Sequence, residues 1–323
     1  MPGIEVRRAG GSDRAAILRL LAASLHWEVN DEFARFFEWK HEESPFGPSP
    51  GWVAVDHDRV VGFRAFLRWQ FETRDQAYSA VRAVDTATHP EYQGRGIFRT
   101  LTLGALEELR AEGVDFVFNT PNAQSLPGYR SMGWSQVGRL SMAARPRSVR
   151  SAIRMLGARV PAGRWPLASE AGDIASAVLG DARTAGLVDR MAPPRGLRTR
   201  RTAEFLRWRY GLPQLGYRAL AASGGVEEGV AIFRLRARGR ATEATLCDVL
   251  VPAGAAGVER HLCREVARTS GADYVVRLGA SPRFGFVPLA RLGPILTWRA
   301  VRPGAVEPAR RDWDLAMGDV ELL

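Results

Sequence analysis

Lysine is almost missing from this sequence: Lys40 is the only one in 323 residues, although lysine and arginine together number 45 and the formal net charge is +10. The positive charge is therefore nearly all arginine and is spread along the chain. A spread of this kind argues against a dedicated nucleic-acid surface and suits a basic cleft for a polyanionic small molecule. Cysteine is equally scarce. Cys247 and Cys263 are too few and too unpatterned for a disulfide framework or a thiolate metal site, and both read as buried small hydrophobes. The five histidines, His26, His41, His57, His89 and His261, have no ligand spacing, so no metal is expected. No apolar run approaches membrane-spanning length, and the charged stretch Ile4–Arg8 offers no signal-peptide core. Cytoplasmic residence without a membrane partner is the expectation. A chain of this length suits two domains, each able to bury its own core.

Residues 84–98, Val-Asp-Thr-Ala-Thr-His-Pro-Glu-Tyr-Gln-Gly-Arg-Gly-Ile-Phe, carry the most informative pattern: a strand runs into a glycine-rich turn that opens an amphipathic helix. Gln93, Gly94, Arg95 and Gly96 can present successive backbone N–H groups at a helix N-terminus, where unpaired donors and the macrodipole favour a phosphate. Gly94 and Gly96 allow a close approach to the backbone, and Arg95 adds charge. Gly-Lys-Ser/Thr does not follow the loop, and Arg99 rather than glycine stands three positions beyond Gly96. Neither a Walker loop nor a dinucleotide fingerprint is present. A second pattern lies downstream, Asn119-Thr-Pro-Asn-Ala-Gln-Ser-Leu-Pro-Gly-Tyr129-Arg-Ser-Met-Gly133-Trp134.

Together the two runs resemble the GNAT superfamily of acyl-CoA-dependent N-acyltransferases. The first is similar to its pyrophosphate loop, Gln/Arg-x-x-Gly-x-Gly/Ala after a strand, with Glu91 in the first position here. The second is similar to its motif of an Asn-containing strand end leading to a short helix that finishes Tyr-x-x-x-Gly-aromatic. The resemblance implies acetyl-CoA as acyl donor, lying between the strand that ends at Thr88 and the strand that ends at Asn119. It places the pyrophosphate on Gln93, Gly94, Arg95, Gly96, Ile97 and Phe98 and the pantetheine arm along Val84, Thr86 and Thr88. Asn119, Asn122 and Ser125 are further cofactor contacts; Asn122 can equally cap the short helix. Tyr129 is the candidate acid for the leaving thiolate, its alternative being a packing aromatic. Asp85 is the candidate base, its alternative a structural salt bridge. His26, Trp27, Glu28 and Glu32 lie in the segment that roofs the acceptor pocket in this family. The implied reaction moves acetyl by direct attack to a primary amine of a small molecule, an amino sugar or a natural-product amine. The alternative is a non-catalytic acyl-CoA-binding sensor or scaffold.

Periodicity orders the first 145 residues as alternating elements. Expected are a strand at 4–8, a helix with Leu18, Leu21 and Leu25 on one face, a helix at 30–39, and a hairpin of 51–56 with 60–71. In the second hairpin strand Phe63, Ala65, Leu67, Trp69 and Phe71 alternate with Arg64, Arg68 and Gln70, which places the polar residues on an outer face. A strand at 78–88, a helix ending at Gly113, a strand at 114–119, a short helix at 124–132 and a closing strand at 134–143 follow. Residues 146–170 read as a basic linker carrying a short helix. Residues 171–323 read as a degraded repeat of 1–145: Glu32-Phe-Ala-Arg-Phe-Phe-Glu-Trp-Lys matches Ala203-Glu-Phe-Leu-Arg-Trp-Arg-Tyr, Gly51-Trp-Val-Ala-Val matches Gly216-Tyr-Arg-Ala-Leu, Val84-Asp85 sits like Cys247-Asp248, and Gly133-Trp134 like Gly285-Phe286. The repeat keeps small residues at Pro252-Ala-Gly-Ala-Ala-Gly257 but loses Gln-Gly-Arg-Gly. The fold class expected is α/β (α+β), two GNAT-like domains, each a mixed, mostly antiparallel sheet flanked by helices, with the first copy catalytic. This layout resembles the enhanced-intracellular-survival acetyltransferases; mycothiol synthase has its working loop in the other copy.

Overall fold

The computed structural model describes residues 3–25 and 28–321. The first half runs β1 (Ile4–Arg8), α1 (Arg14–Leu25), α2 (Asp31–His41), β2 (Gly51–Asp56), β3 (Arg59–Glu72), β4 (Ala77–Thr88), α3 (Ile97–Ala111), β5 (Phe116–Asn119), α4 (Leu126–Ser131), β6 (Ser135–Arg139) and β7 (Met142–Pro146). The chain continues through α5 (Val149–Gly157), β8 (Asp173–Ile174), α6 (Ala175–Gly180), α7 (Arg183–Asp189), β9 (Arg198–Thr199), α8 (Ala203–Gly211) and β10 (Arg218–Ala222). It ends with β11 (Gly225–Arg238), β12 (Ala241–Leu250), α9 (Ala256–Thr269), β13 (Tyr274–Leu278), β14 (Val287–Leu289), β15 (Ile295–Ala300) and α10 (Met317–Val320). Two compact units result: Met1–Gly138 with Ile295–Arg310, and Arg139–Pro294 with Arg311–Leu323.

In the first unit the strand order is β1-β2-β3-β4-β5-β15-β6. Neighbours from β1 to β4 pair antiparallel, β4 pairs parallel with β5, and β5 pairs antiparallel with β15. The parallel register takes in only Ala80, Val81 and Arg82 of β4; the rest of that strand, to Thr88, keeps β3 on one side and has no β5 partner. A bulge accounts for the divergence. Arg64 pairs with Thr86 and Ala65 with Val84, so Asp85 is an extra residue in β4, held at φ +37°. Such a residue is strained, and a bulge bends and twists its strand out of the ladder.

Both faces of this sheet are covered. Phe63, Ala65 and Val53 pack with Ile17, Leu20, Leu21, Phe33 and Phe37 of α1 and α2. Phe66, Val61, Trp52 and Ala54 pack with Ile97, Leu101, Ala105 and Leu109 of α3. Each such side chain, fully buried, contributes about 1.5–3 kcal/mol. The double cover corrects the expected outer face of β3: Arg64 is 0% exposed because Phe66 and α3 close over it. Helix α2 starts where Asn30 Oδ1 accepts from the Phe33 N–H (2.9 Å), with Asp31 and Glu32 in its first turn. Its last turn carries Lys40 and His41, in keeping with the helix dipole.

The second unit has the strand order β14-β7-β13-β12-β11-β10-β8. Its succession β10, β11, β12, α9, β13 repeats β2, β3, β4, α3, β5, including the parallel pairing of β12 with β13. The β11 and β12 registers slip so that Cys247 is the extra residue, which makes Cys247 the counterpart of Asp85, one position away from the expected match.

Two boundaries depart from expectation. The single closing strand at 134–143 is in fact β6 and β7, which join different sheets. No cut falls at 145 and no linker spans 146–170: β7 and α5 belong to the second unit, while β15 completes the first, with Leu296 and Trp298 buried. Among the described residues no helix is long and apolar enough to cross a membrane.

Candidate functional site

Backbone conformation builds the loop before α3. Pro90–Tyr92 forms a 3-10 turn capped by the His89 ring, after which Gly94 (φ +76°) and Gly96 (φ +80°) take the left-handed backbone that favours glycine. Gly96 is the N-cap of α3, and a Cβ at either glycine would meet nothing within 4 Å. Open space therefore lies over the N–H groups of the first turn, which have no intrahelical acceptors, and the macrodipole adds roughly half a positive charge there. Arg95 folds back on the loop: its guanidinium donates to the Glu91 carbonyl (3.1 Å) and lies over the Tyr92 ring (4.7 Å).

The helix terminus opens on a cleft of about 640 Å³ that also takes in the unpaired end of β4. Of the residues expected to hold a cofactor, Thr86, Thr88, Gln93, Gly94, Gly96, Ile97, Phe98, Asn122 and Ser125 line this cleft. Val84, Arg95 and Asn119 are not among its lining residues. Val84 packs against the core beneath α1 and α2, and Asn119 is buried at the end of β5, where its carbonyl accepts from the Thr297 hydroxyl (3.3 Å). Asn122 does not cap α4, whose N-cap is Ser125, but closes the turn before it: its Oδ1 accepts from the N–H of Gln124 (3.1 Å), the N–H of Ser125 (2.9 Å) and the Ser125 hydroxyl (2.9 Å).

Tyr129 on α4 is 3% exposed, its ring edge-on to Phe98 (5.6 Å) and Trp134 (5.4 Å). Its oxygen accepts from Arg64 Nη2 at 2.8 Å. The Arg64 guanidinium is enclosed by the rings of Phe66 (4.7 Å), Tyr129 (5.4 Å) and Phe98 (5.7 Å), and its Nε and Nη1 are buried without hydrogen-bond partners. Reading β3 as a half-exposed strand hides this residue. The clue is the run Val60, Val61, Phe63, Ala65, Phe66, Leu67, apolar at neighbouring positions, which says that both faces are covered.

Asp85 contacts the only lysine of the chain. Its carboxylate lies 2.9 Å from Lys40 Nζ and 2.7 Å from His41 Nε2, and both partners are buried. Burial alone would raise the Asp85 pKa, but the Lys40 charge and the His41 hydrogen bond hold it well below the usual carboxylate range. Burial likewise pushes His41 down, against the pull of Asp85. The imidazole is then neutral and Nε2–H donates to Asp85, which leaves Nδ1 as a buried acceptor without a partner. A carboxylate so held is a poor acceptor for an ammonium proton, so the candidate base is corrected to a counter-ion within an ion-paired group. Lys40 and His41 lie outside the sequence-derived site.

Glu28 is exposed in the connection between α1 and α2, and Glu32 is exposed in the first turn of α2; neither lines the cleft. His26 and Trp27 lie outside the described residues. In the second unit the corresponding region is a smaller pocket of about 220 Å³, and Asp314, Leu315, Ala316 and Met317 from the end of the chain form part of its lining. Beside it Arg201 pairs with Asp248 (2.8 Å) and Asp319 (3.0 Å), and Tyr210 donates to Asp248.

Comparison with known proteins agrees with this geometry. The acetyltransferase (GNAT) domain family matches residues 5–137. A mycothiol acetyltransferase of Nocardia farcinica is 30% identical over 142 residues, 41% of this chain, and the match spans 46% of that protein, about half its length. Among solved structures, a GCN5-related N-acetyltransferase of Anabaena variabilis superposes with a TM-score of 0.64 at 15% identity, covering 93% of this chain and 73% of that one. A probable N-acyltransferase of Enterococcus faecalis does so with a TM-score of 0.63 at 14% identity, covering 92% and 73%. Identities this low speak for the fold: two helix-flanked mixed sheets, as in these proteins. The glycine cradle and Tyr129 both fall within residues 5–137, the segment that is similar to the acetyltransferase (GNAT) domain family.

Proposed function

We propose that the chain is a cytoplasmic N-acetyltransferase that moves acetyl from acetyl-CoA to a primary amine of a small molecule, an amino sugar or a natural-product amine, in its N-terminal unit. The observation that carries this reading is the left-handed Gly94 and Gly96 pair at the start of α3, open to a cleft bounded by the unpaired end of β4. The residues present fit the donor. An anion cradle stands at one end, a strand edge with free N–H and C=O groups runs along the cleft, and its volume is that of a ligand site.

Bound acetyl-CoA supplies an activated acetyl thioester. The N–H groups from Gly94 to Phe98 take the pyrophosphate charge, and the N–H groups at the end of β4 polarise the acyl carbonyl where charge develops. Holding the amine against it removes much of the entropic barrier. Tyr129 Oη donates its proton to the leaving sulfur. Arg64 fills one lone pair of Oη as a donor, so the phenol hydrogen points elsewhere, and the guanidinium stabilises the oxygen as that proton leaves. Asp85 keeps Lys40 and His41 in place beside the bulge that opens the cleft.

Screening amines with a thiol reagent that reports free CoA tests the proposal. Turnover on at least one amine class is expected, with one acetyl-CoA site per chain by calorimetry. Binding without turnover on any amine would replace this reading with that of an acyl-CoA sensor, and no binding would overturn both.

A further inference from the structure

Helix α5 is built inside out. Ser148 caps it by accepting from the Ser151 N–H (3.1 Å), and the side that meets the second unit is small and polar. Ser151 is buried and donates to Asp273 (3.3 Å), as Arg154 does (3.2 Å). Val149, Ile153 and Leu156 stand at i, i+4 and i+7, one stripe of an α-helix, and they are 80%, 67% and 72% exposed. A helix with only water outside it turns such a stripe inward, because leaving aliphatic surface hydrated is unfavourable. Val160, Trp165 and Leu167 expose more apolar surface in the segment that follows. Arg147, Arg150, Arg154, Arg159 and Arg164 accompany them, all exposed, and no aspartate or glutamate occurs between positions 147 and 164.

We propose that this face binds the surface of an anionic lipid bilayer, with the aliphatic stripe below the headgroups and the arginines at the phosphates. Charge complementarity selects this occupant. A second copy docked about a two-fold axis would bring one arginine cluster against the other, which is repulsive. Nucleic acid would satisfy the arginines but offers exposed valine, isoleucine and leucine nothing to pack into, since it is bound through phosphates, base edges and stacking. A helix of this length lies in the interface and does not span it. The lack of a spanning run, from which no membrane partner was expected, bears on crossing a bilayer and not on resting at its surface.

Co-sedimentation of the full chain with vesicles tests the proposal. Pelleting is expected with phosphatidylcholine mixed with phosphatidylglycerol and not with phosphatidylcholine alone, and it weakens as salt is added. Ile153→Asp with Leu156→Asp is expected to lower the partition on the order of tenfold or more. Arg150→Glu with Arg159→Glu is expected to do the same, roughly fivefold or more for each charge. All four side chains are exposed, so an unchanged circular dichroism spectrum and an unchanged affinity for acetyl-CoA verify the fold of the variants. Three results would overturn the proposal: wild-type chain left in the supernatant with the anionic vesicles, an aspartate variant that pellets like the wild type, or an oligomer in solution that the aspartate variant dissociates. Retention on an RNA duplex, indifferent to the aspartates, would assign the arginines to nucleic acid instead.

Discussion

Arg64 sits where activity and stability pull apart. A buried guanidinium with two unpartnered nitrogens is an incompletely compensated charge, and replacing such a group with an apolar side chain of similar volume is neutral or stabilising. Arg64→Met is therefore expected to raise the unfolding midpoint by a few degrees, for about 1 kcal/mol in a unit of this size. The same change is expected to slow acyl transfer by roughly tenfold, because Tyr129 loses the donor that orients it. Tyr129→Phe keeps the contacts with Phe98 and Trp134, so acetyl-CoA affinity will change little while the rate falls roughly a hundredfold. Since both residues act through one oxygen, the double variant is expected to lose no more activity than Tyr129→Phe alone. A Tyr129→Phe variant at full rate, with chemistry shown to be limiting, would reduce Tyr129 to a packing residue.

The Lys40, His41 and Asp85 group sets a pH dependence. Folding lowers the pKa of His41 through burial, which outweighs Asp85, and lowers that of Asp85 because Lys40 and His41 outweigh its burial. In both cases the unfolded chain takes up protons first, so stability rises with pH. The His41 part is lost as pH falls below about 6.5, and the Asp85 part below about 4. Urea midpoints measured between pH 3 and 8 check the sign. Asp85→Asn tolerates the positive φ yet removes the carboxylate that faces the buried Lys40, and is expected to cost about 3 kcal/mol at neutral pH, part of it recovered by adding Lys40→Met. Gly94, Gly96 and Tyr129 could be named as candidates from the sequence because they stand in short contiguous motifs. Arg64, Lys40 and His41 were not, since they meet Tyr129 and Asp85 across 65, 45 and 44 positions and only after the sheet has formed.

At the scale of elements, the cradle discriminates between the two copies. Gly94→Asp puts a side chain and a negative charge into the open space above α3 and is expected to abolish acetyl-CoA binding by calorimetry, whereas Gly257→Asp, in the first turn of α9, leaves it intact. The reverse pattern would move the site to the second unit. Elements themselves were read well where periodicity and stop residues agree, as in α3 with Gly113 beyond its end at φ +79°. Two failures have a common cause. The strand expected at 134–143 divides around Leu140, whose N–H donates to the Pro294 carbonyl (2.9 Å), and nothing in an alternating pattern says which sheet a strand will join. The match of Val84-Asp85 with Cys247-Asp248 slipped by one because a bulge shows in the register of two strands and not in either alone.

For the whole molecule, the exchange that sets β7 in the second sheet and β15 in the first makes the first unit depend on a strand from the far half of the chain. A fragment of residues 1–145 lacks β15, which leaves β5 with an unpaired edge and removes the buried Leu296 and Trp298. Such an edge templates pairing with other chains, so the fragment is expected to be insoluble or oligomeric by size-exclusion chromatography. A soluble, monomeric, fully active fragment would refute this dependence.

The same exchange imposes an order in time. Thr297 follows Asn119, its partner across the β5 to β15 ladder, by 178 positions. At ribosomal speed that separation is on the order of tens of seconds, during which the nascent β5 edge has no native neighbour to receive its N–H and C=O groups. The N-terminal unit, encoded first, cannot be finished until β15 has been made. The acetyl transfer proposed for this unit therefore waits on a strand that emerges long after the glycine cradle and Tyr129 have been made.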